Sequence, residues 1–266
     1  MHLDRIDLAD IHEPSRLAAA VHGMLGPVDG PVPVDDVACA LDIHEVRLGG
    51  FDGFEGMLLT DRVRSTGAIL ANTRKDRRRT RFTVAHELGH FLMERHVLSD
   101  GTGFKCQAKD LWETRDEEVH LRQETEANRF AIELLAPPAL FDPHLSTEPD
   151  LRDALHLRGH LDISLEASVR RMIERRPECL AAVWSHEGRV RYVVRGTGFP
   201  YVPLQKGDHL PRATKAFRVI ETARPEVTDS TETPFRDWTR QPALELLEQT
   251  RLASNGHAVT LLWARQ

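Results

Sequence analysis

The sequence predicts an α+β protein. A helix-rich N-terminal region, residues 1–176, precedes a small β-rich domain, residues 177–266. Three observations carry that expectation. The short apolar runs "FEGMLLT" and "GAILANT" flank a polar "DRVRS" and read as two strands. Two longer segments, 78–96 and 117–135, read as helices; in the second the apolar residues recur at helical spacing. After Pro177 the texture changes to short runs joined by turn signals. One is "CLAAVWS-HEG-RVRYVV"; the other is Asn255-Gly256 between "ALELLEQTRLA" and "HAVTLLWA".

The elements follow in order. "PSRLAAAVHGML" (14–25) reads as a helix capped by Ser15, and "GPVDGPVPVDD" as a turn-rich connector. "VDDVACALDI" (34–43) is a second short helix, followed by the two strands. Segment 97–116, with Gly101, Gly103 and many polar residues, reads as a long loop. The helix from 117 stops at "APP", where proline removes a donor. Residues 148–176 add two more helices, expected to pack on the N-terminal domain.

Composition narrows the function. Hydrophobic content of 41% and charged content of 29% suit a soluble globular protein. No apolar run approaches the roughly 18 residues that span a bilayer, so no membrane partner is expected. "MHLDRIDLAD" has no apolar core of a secretory signal. Cys39, Cys106 and Cys179 are odd in number and scattered, as reduced thiols of a cytoplasmic protein would be. A net charge of -6 argues against broad nucleic-acid binding, although "KDRRRTR" (75–81) is locally basic.

The chemistry concentrates in "RFTVAHELGHFLMERH". His86-Glu87-Leu88-Gly89-His90 fits H-E-x-x-H. Histidines at i and i+4 differ by about 40° around a helix and about 6 Å along it, so both imidazoles can meet one zinc ion. Glu87 stands beside the pair, where it can reach a water. Val84, Leu88, Phe91 and Leu92 form a separate apolar stripe, so the histidines are not its polar margin. A catalytic zinc has three protein ligands and one open position. His96 matches the outer spacing of a longer histidine motif, but Met93 stands where that motif has its helix-breaking glycine. On a continuing helix His96 would lie about 15 Å from His86 and off its face, as a solvated helix-end histidine.

The second helix offers another third ligand. In "ETEANRFAIELLAP", Ala127, Phe130, Ala131, Leu134 and Leu135 share one apolar face. Glu124 lies at the edge of that face, where a metal would satisfy its carboxylate; the alternative is an arginine on the helix shoulder. Glu126 is rotated about 200° from Glu124 and points away. Asn128, one turn on, can hydrogen-bond a ligand histidine.

These two segments resemble the ImmA/IrrE family of zinc metallopeptidases. That family pairs an H-E-x-x-H helix with a downstream E-x-x-A-N-x-F-A-x-x-L-L-x-P helix, and the resemblance covers about residues 30–140. It implies a zincin-like domain with His86, His90 and Glu124 as zinc ligands, Glu87 as general base and Asn128 supporting a ligand histidine. The family often has methionine where Ala136 sits, and histidine where Glu94 and Arg95 sit. The C-terminal region resembles longer members, some with a GAF-like sensor domain. The implied function is cleavage of a helix-turn-helix repressor, derepressing a stress-response or mobile-element operon.

Glu87 would take a proton from the attacking water and pass it to the leaving amine. His120, one turn before Glu124, is a candidate to steady the oxyanion, with a surface role as its alternative. "GAILANT" is a candidate edge strand to which a peptide could add, with an interior strand as the alternative. A different class of function also fits: a non-proteolytic DNA- or protein-binding regulator whose zinc site is structural or vestigial. Its support is "RDALHLRGHLDISLEASVRRMIE", which faintly resembles two helices around a turn.

Overall fold

The computed structural model describes residues 3–97, 103–106, 115–222, 224–241 and 245–265. The chain forms two compact units. The first comprises Met1–Phe141 with Gly159–Ser164, and the second Asp142–Arg158 with Leu165–Gln266.

The first unit opens with α1 (Pro14–Leu25) and α2 (Val34–Ala40). The cap of α1 is not Ser15. Glu13 accepts from the amides of Ser15 (2.9 Å) and Arg16 (2.7 Å), and Pro14 occupies the first helical position, where no donor is needed. Strands β1 (Ile43–Gly49), β2 (Gly56–Thr60) and β3 (Gly67–Asn72) lead into α3 (Arg77–Leu92). Strand β4 (Gly103–Cys106), α4 (Arg115–Leu135) and the short α5 (Pro138–Phe141) complete the unit.

The sheet order is β1-β3-β2-β4, with β1 parallel to β3 and the other pairs antiparallel. The strand formed by "GAILANT" is therefore interior. Both sides of β3 are hydrogen-bonded, and no peptide can add to it. The segment read as a long loop contains β4, paired to β2 from Gly56↔Cys106 to Leu59↔Gly103. Residues 115–116 of that loop reading belong to α4, and 98–102 and 107–114 lie outside the described residues.

Helix α3 packs on β2 and β3 on one side and on α4 on the other. Every residue from Thr83 to Leu92 is buried. The facing stripe of α4, Ala127, Phe130, Ala131, Leu134 and Leu135, is buried to within 1%. Each large side chain there contributes roughly 1.5–3 kcal/mol of burial. Gly89 sets how closely the helices approach: a Cβ on it would meet Phe130 Cδ1 at 2.9 Å and Ala127 Cα at 3.4 Å.

The basic tract before the motif is held by carboxylates of the same unit. Buried Asp162 receives Arg77 (2.8 Å), Arg78 (3.3 Å) and Arg81 (3.4 Å). Arg79 and Lys75 pair with Glu55, and Arg74 with Asp52. Charge already partnered in this way makes a poor phosphate-binding patch.

In the second unit, α6 (Leu151–His160) begins and α7 (Leu165–Arg175) leads to β5 (Cys179–His186) and β6 (Arg189–Arg195). Then come α8 (Lys215–Thr222), β7 (Glu226–Val227), β8 (Thr231–Glu232), β9 (Glu245–Leu252) and β10 (His257–Arg265). The antiparallel sheet has the order β6-β5-β10-β9-β7, with β8 also on β9. Both hairpins expected from sequence are present, as β5–β6 and β9–β10. Helix α7, read from sequence with the N-terminal domain, falls in this unit; it carries buried Val169, Met172 and Ile173 and packs on β5. Among the described residues, no helix is long and apolar enough to cross a membrane.

Candidate metal centre

The centre lies where α3 and α4 cross. His86 and His90 stand one turn apart on α3, with their Nε2 atoms 3.1 Å from each other. From α4, Glu124 spans the pair. Its Oε2 is 3.3 Å from His86 Nε2, and its Oε1 is 3.1 Å from His90 Nε2. One ligand atom from each of these residues lies within 4.8 Å of the other two. The rings meet edge to face at 78°. Sequence projection put these three residues on converging faces, and the structure brings them together. The set, two imidazoles and a carboxylate, is the chemistry that suits a divalent zinc ion.

His90 is wholly buried and His86 nearly so, while Glu124 keeps 24% of its side chain open to solvent. Burial pushes His90 down to about 3, so it stays neutral, as a ligand must be. Burial would lower His86 as well, but Glu124 and Glu87 hold it above the usual histidine value. Burial would raise the Glu124 carboxyl; hydrogen bonds from the two rings instead hold it far below the usual range. Asn128 Oδ1 lies 3.1 Å from His86 Nδ1 and steadies the ring from behind.

Glu87 is fully buried on the neighbouring side of α3. Its carboxylate lies against β2 at Gly56. A Cβ there would overlap Glu87 Oε1 and come within 2.5 Å of Thr83 Cγ2. Glycine at this position is what lets the strand pass so close to the Glu87 carboxylate. Nothing in the sequence pattern marks Gly56 for this task, because its requirement comes from a residue 31 positions away (87 − 56) on another element. His120 lies on α4 and is half-buried.

Two expectations near the centre need correction. Helix α3 ends at Leu92 and does not run to His96. His96 is not solvated: it is 3% exposed, and its Nδ1 lies 2.9 Å from His90 Nδ1. Glu126 is turned from Glu124, as its rotation about the helix implies, and its Oε2 is 3.0 Å from His96 Nε2. The cause is Arg64. Its buried guanidinium donates to the carbonyls of His90 (2.7 Å), Phe91 (3.1 Å) and Met93 (2.7 Å), and to that of His96. Those bonds cap the helix and fold residues 93–96 back beside it. Arg64 adopts φ 52, which costs a non-glycine residue about 1 kcal/mol and is offset by these bonds. A single arginine in the polar "DRVRS" turn carries no signal for this role.

Residues 44–172 match the profile of the IrrE N-terminal-like domain of the M78 peptidases. No curated protein matches the chain in sequence. Among solved structures, a Mycobacterium tuberculosis transcriptional regulator is similar at a TM-score of 0.59 and 14% identity; the match covers 98% of this chain and 79% of that one. At that identity the likeness shows a shared fold. The stretch that matches the domain profile contains His86, Glu87, His90, Glu124 and Asn128; through it the chain carries an IrrE N-terminal-like, metallopeptidase-like domain, which supports membership of the ImmA/IrrE family.

Proposed function

We propose that the chain is a zinc-dependent endopeptidase whose substrate is a helix-turn-helix repressor in the cytoplasm. Cleavage of that repressor derepresses a stress-response or mobile-element operon. The observation that carries the reading is the convergence of His86 Nε2, His90 Nε2 and the Glu124 carboxylate, with Glu87 buried beside them. His86, His90 and Glu124 would hold the ion. A bound zinc ion polarises a carbonyl and lowers the pKa of a water to about 7.

The remaining chemistry belongs to this chain's own residues. Glu87 takes the proton of the attacking water on its carboxylate and returns it to the leaving amine. Gly56 and the buried face of α3 hold that carboxylate in place. Asn128 fixes His86. A regulator built around a structural ion gives Glu87 no task, and this favours catalysis over the non-proteolytic reading.

Metal analysis, with incubation against any helix-turn-helix repressor encoded nearby, tests the proposal. The wild-type chain is expected to carry one zinc and to cleave the repressor. Glu87→Gln is expected to keep the zinc and to lose about 10²–10⁴-fold in cleavage rate. Full repressor loss with the zinc-loaded Gln variant would sink the protease reading.

A further inference from the structure

His90 has two ring nitrogens with separate tasks. Nε2 faces His86 and Glu124. Nδ1 faces backward, 2.9 Å from His96 Nδ1. The far side of His96 continues the line: its Nε2 lies 3.0 Å from Glu126 Oε2. Glu126 is held in turn by Arg95 Nη2 at 2.9 Å and Arg122 Nε at 2.9 Å. The carbonyl of His96 is tied to Arg64, so both the ring and the backbone of this residue are fixed.

Only one arrangement of hydrogens suits this line when the lone pair of His90 Nε2 is turned to the centre. The His90 hydrogen must then sit on Nδ1, and His96 Nδ1 must accept it. The hydrogen of His96 is left on Nε2, where the Glu126 carboxylate accepts it. Two nitrogens at 2.9 Å cannot both donate, so a different order at any link breaks the line. The two candidate ligand histidines are therefore backed differently, His86 by the neutral amide of Asn128 and His90 by a second histidine ending on a carboxylate.

We propose that His96 and Glu126 are positioning residues that fix the tautomer and ring orientation of His90 for metal binding. This rests on the metal-centre reading above. A carboxylate at the end of such a line raises the basicity of the ligand nitrogen, and loss of this kind of support costs about 10–100-fold in metal affinity. His96 itself is no ligand, since its ring stands behind His90.

The test is zinc affinity of the full chain, by competition with a chromogenic chelator, and the visible spectrum of the cobalt-substituted protein. His96→Leu removes the acceptor and is expected to bind zinc about 10–100-fold more weakly, with shifted cobalt bands. His96→Gln keeps an acceptor toward His90 and a donor toward Glu126. It is expected to stay within about 3-fold of wild type and to keep the cobalt spectrum. Glu126→Ala, at a partly exposed position, is expected to weaken zinc by about 10-fold and decides the matter if His96→Leu does not fold. A folded His96→Leu, or in its place Glu126→Ala, with wild-type zinc affinity would overturn the proposal. So would equal losses in the Leu and Gln variants, which mark a packing role. A wild-type chain that binds no zinc would overturn the metal-centre reading, and this proposal with it.

Discussion

Each unit turns a carboxylate inward, Glu248 fully buried and Glu124 partly so, and the two are satisfied in opposite ways. In the second unit, Glu248 on β9 is 1% exposed. Its oxygens accept from the backbone N–H of Ala216 (2.6 Å), in the first turn of α8, and from the indole N–H of Trp238 (2.9 Å). Both partners are permanent donors of the polypeptide. In the first unit, Glu124 meets two imidazole nitrogens, each able to present a lone pair. That cluster is coherent only with protons or a cation among its members. A carboxylate ringed by fixed N–H donors is a structural anchor, whereas one whose partners can each present either a proton or a lone pair is a candidate site.

The sharpest way to break the contrast is to truncate both acids. Glu124→Ala removes one of three candidate ligands. Structural zinc sites gain about 10–16 kcal/mol from their full ligand set, so one ligand is worth roughly 3 kcal/mol, and zinc affinity is expected to fall on the order of 100-fold or more. Glu248→Ala is expected to leave zinc affinity unchanged. Competition titration of both variants checks the pair, and a zinc defect in Glu248→Ala would erase the distinction.

Gly56→Ala comes next. The added methyl collides with the Glu87 carboxylate and with Thr83, neither of them a candidate ligand. A misplacement of about 1 Å costs on the order of 100-fold in rate. Under the proposed function, cleavage is expected to drop by that factor with zinc affinity held, and a joint loss of both would place Gly56 in the folding of the centre instead.

The sequence made the core of this site legible because its information is local and periodic. His86 and His90 are one turn apart, and the spacing of Glu124 and Asn128 from the apolar stripe sets their direction. The same logic failed at His96, because projection assumes that the helix continues. The helix stops where Arg64, from a turn between β2 and β3, takes its last carbonyls. The interior position of β3 was hidden for a similar reason. Its neighbours β1 and β2 lie on different sides of it in space, and strand order is a long-range property that alternation does not encode. The β9–β10 hairpin was legible because Asn255-Gly256 states its own turn.

Glu248 also predicts an effect on stability alone. Glu248→Ala leaves the Ala216 amide and the Trp238 indole N–H buried beside an empty space. An orphaned buried donor costs about 1–3 kcal/mol, so the variant is expected to lose roughly 2–4 kcal/mol. Urea unfolding followed by tryptophan fluorescence measures this, and a loss below about 0.5 kcal/mol would show that water reaches the pair.

The smallest expected effect sharpens the comparison within the centre itself. Asn128 supports His86 through a neutral amide, and Glu124 retains its ties to both rings without it. Asn128→Ala is therefore expected to weaken zinc by about 10-fold, at the lower end for such partners. Asn128→Asp keeps the acceptor and adds charge, so its affinity is expected to equal or exceed wild type. If Ala and Asp weaken binding alike, the Asn128 contact is packing and not orientation. His86 would then be held by α3 and Glu124 alone, and the weight of ring positioning would rest on His90 and the residues behind it.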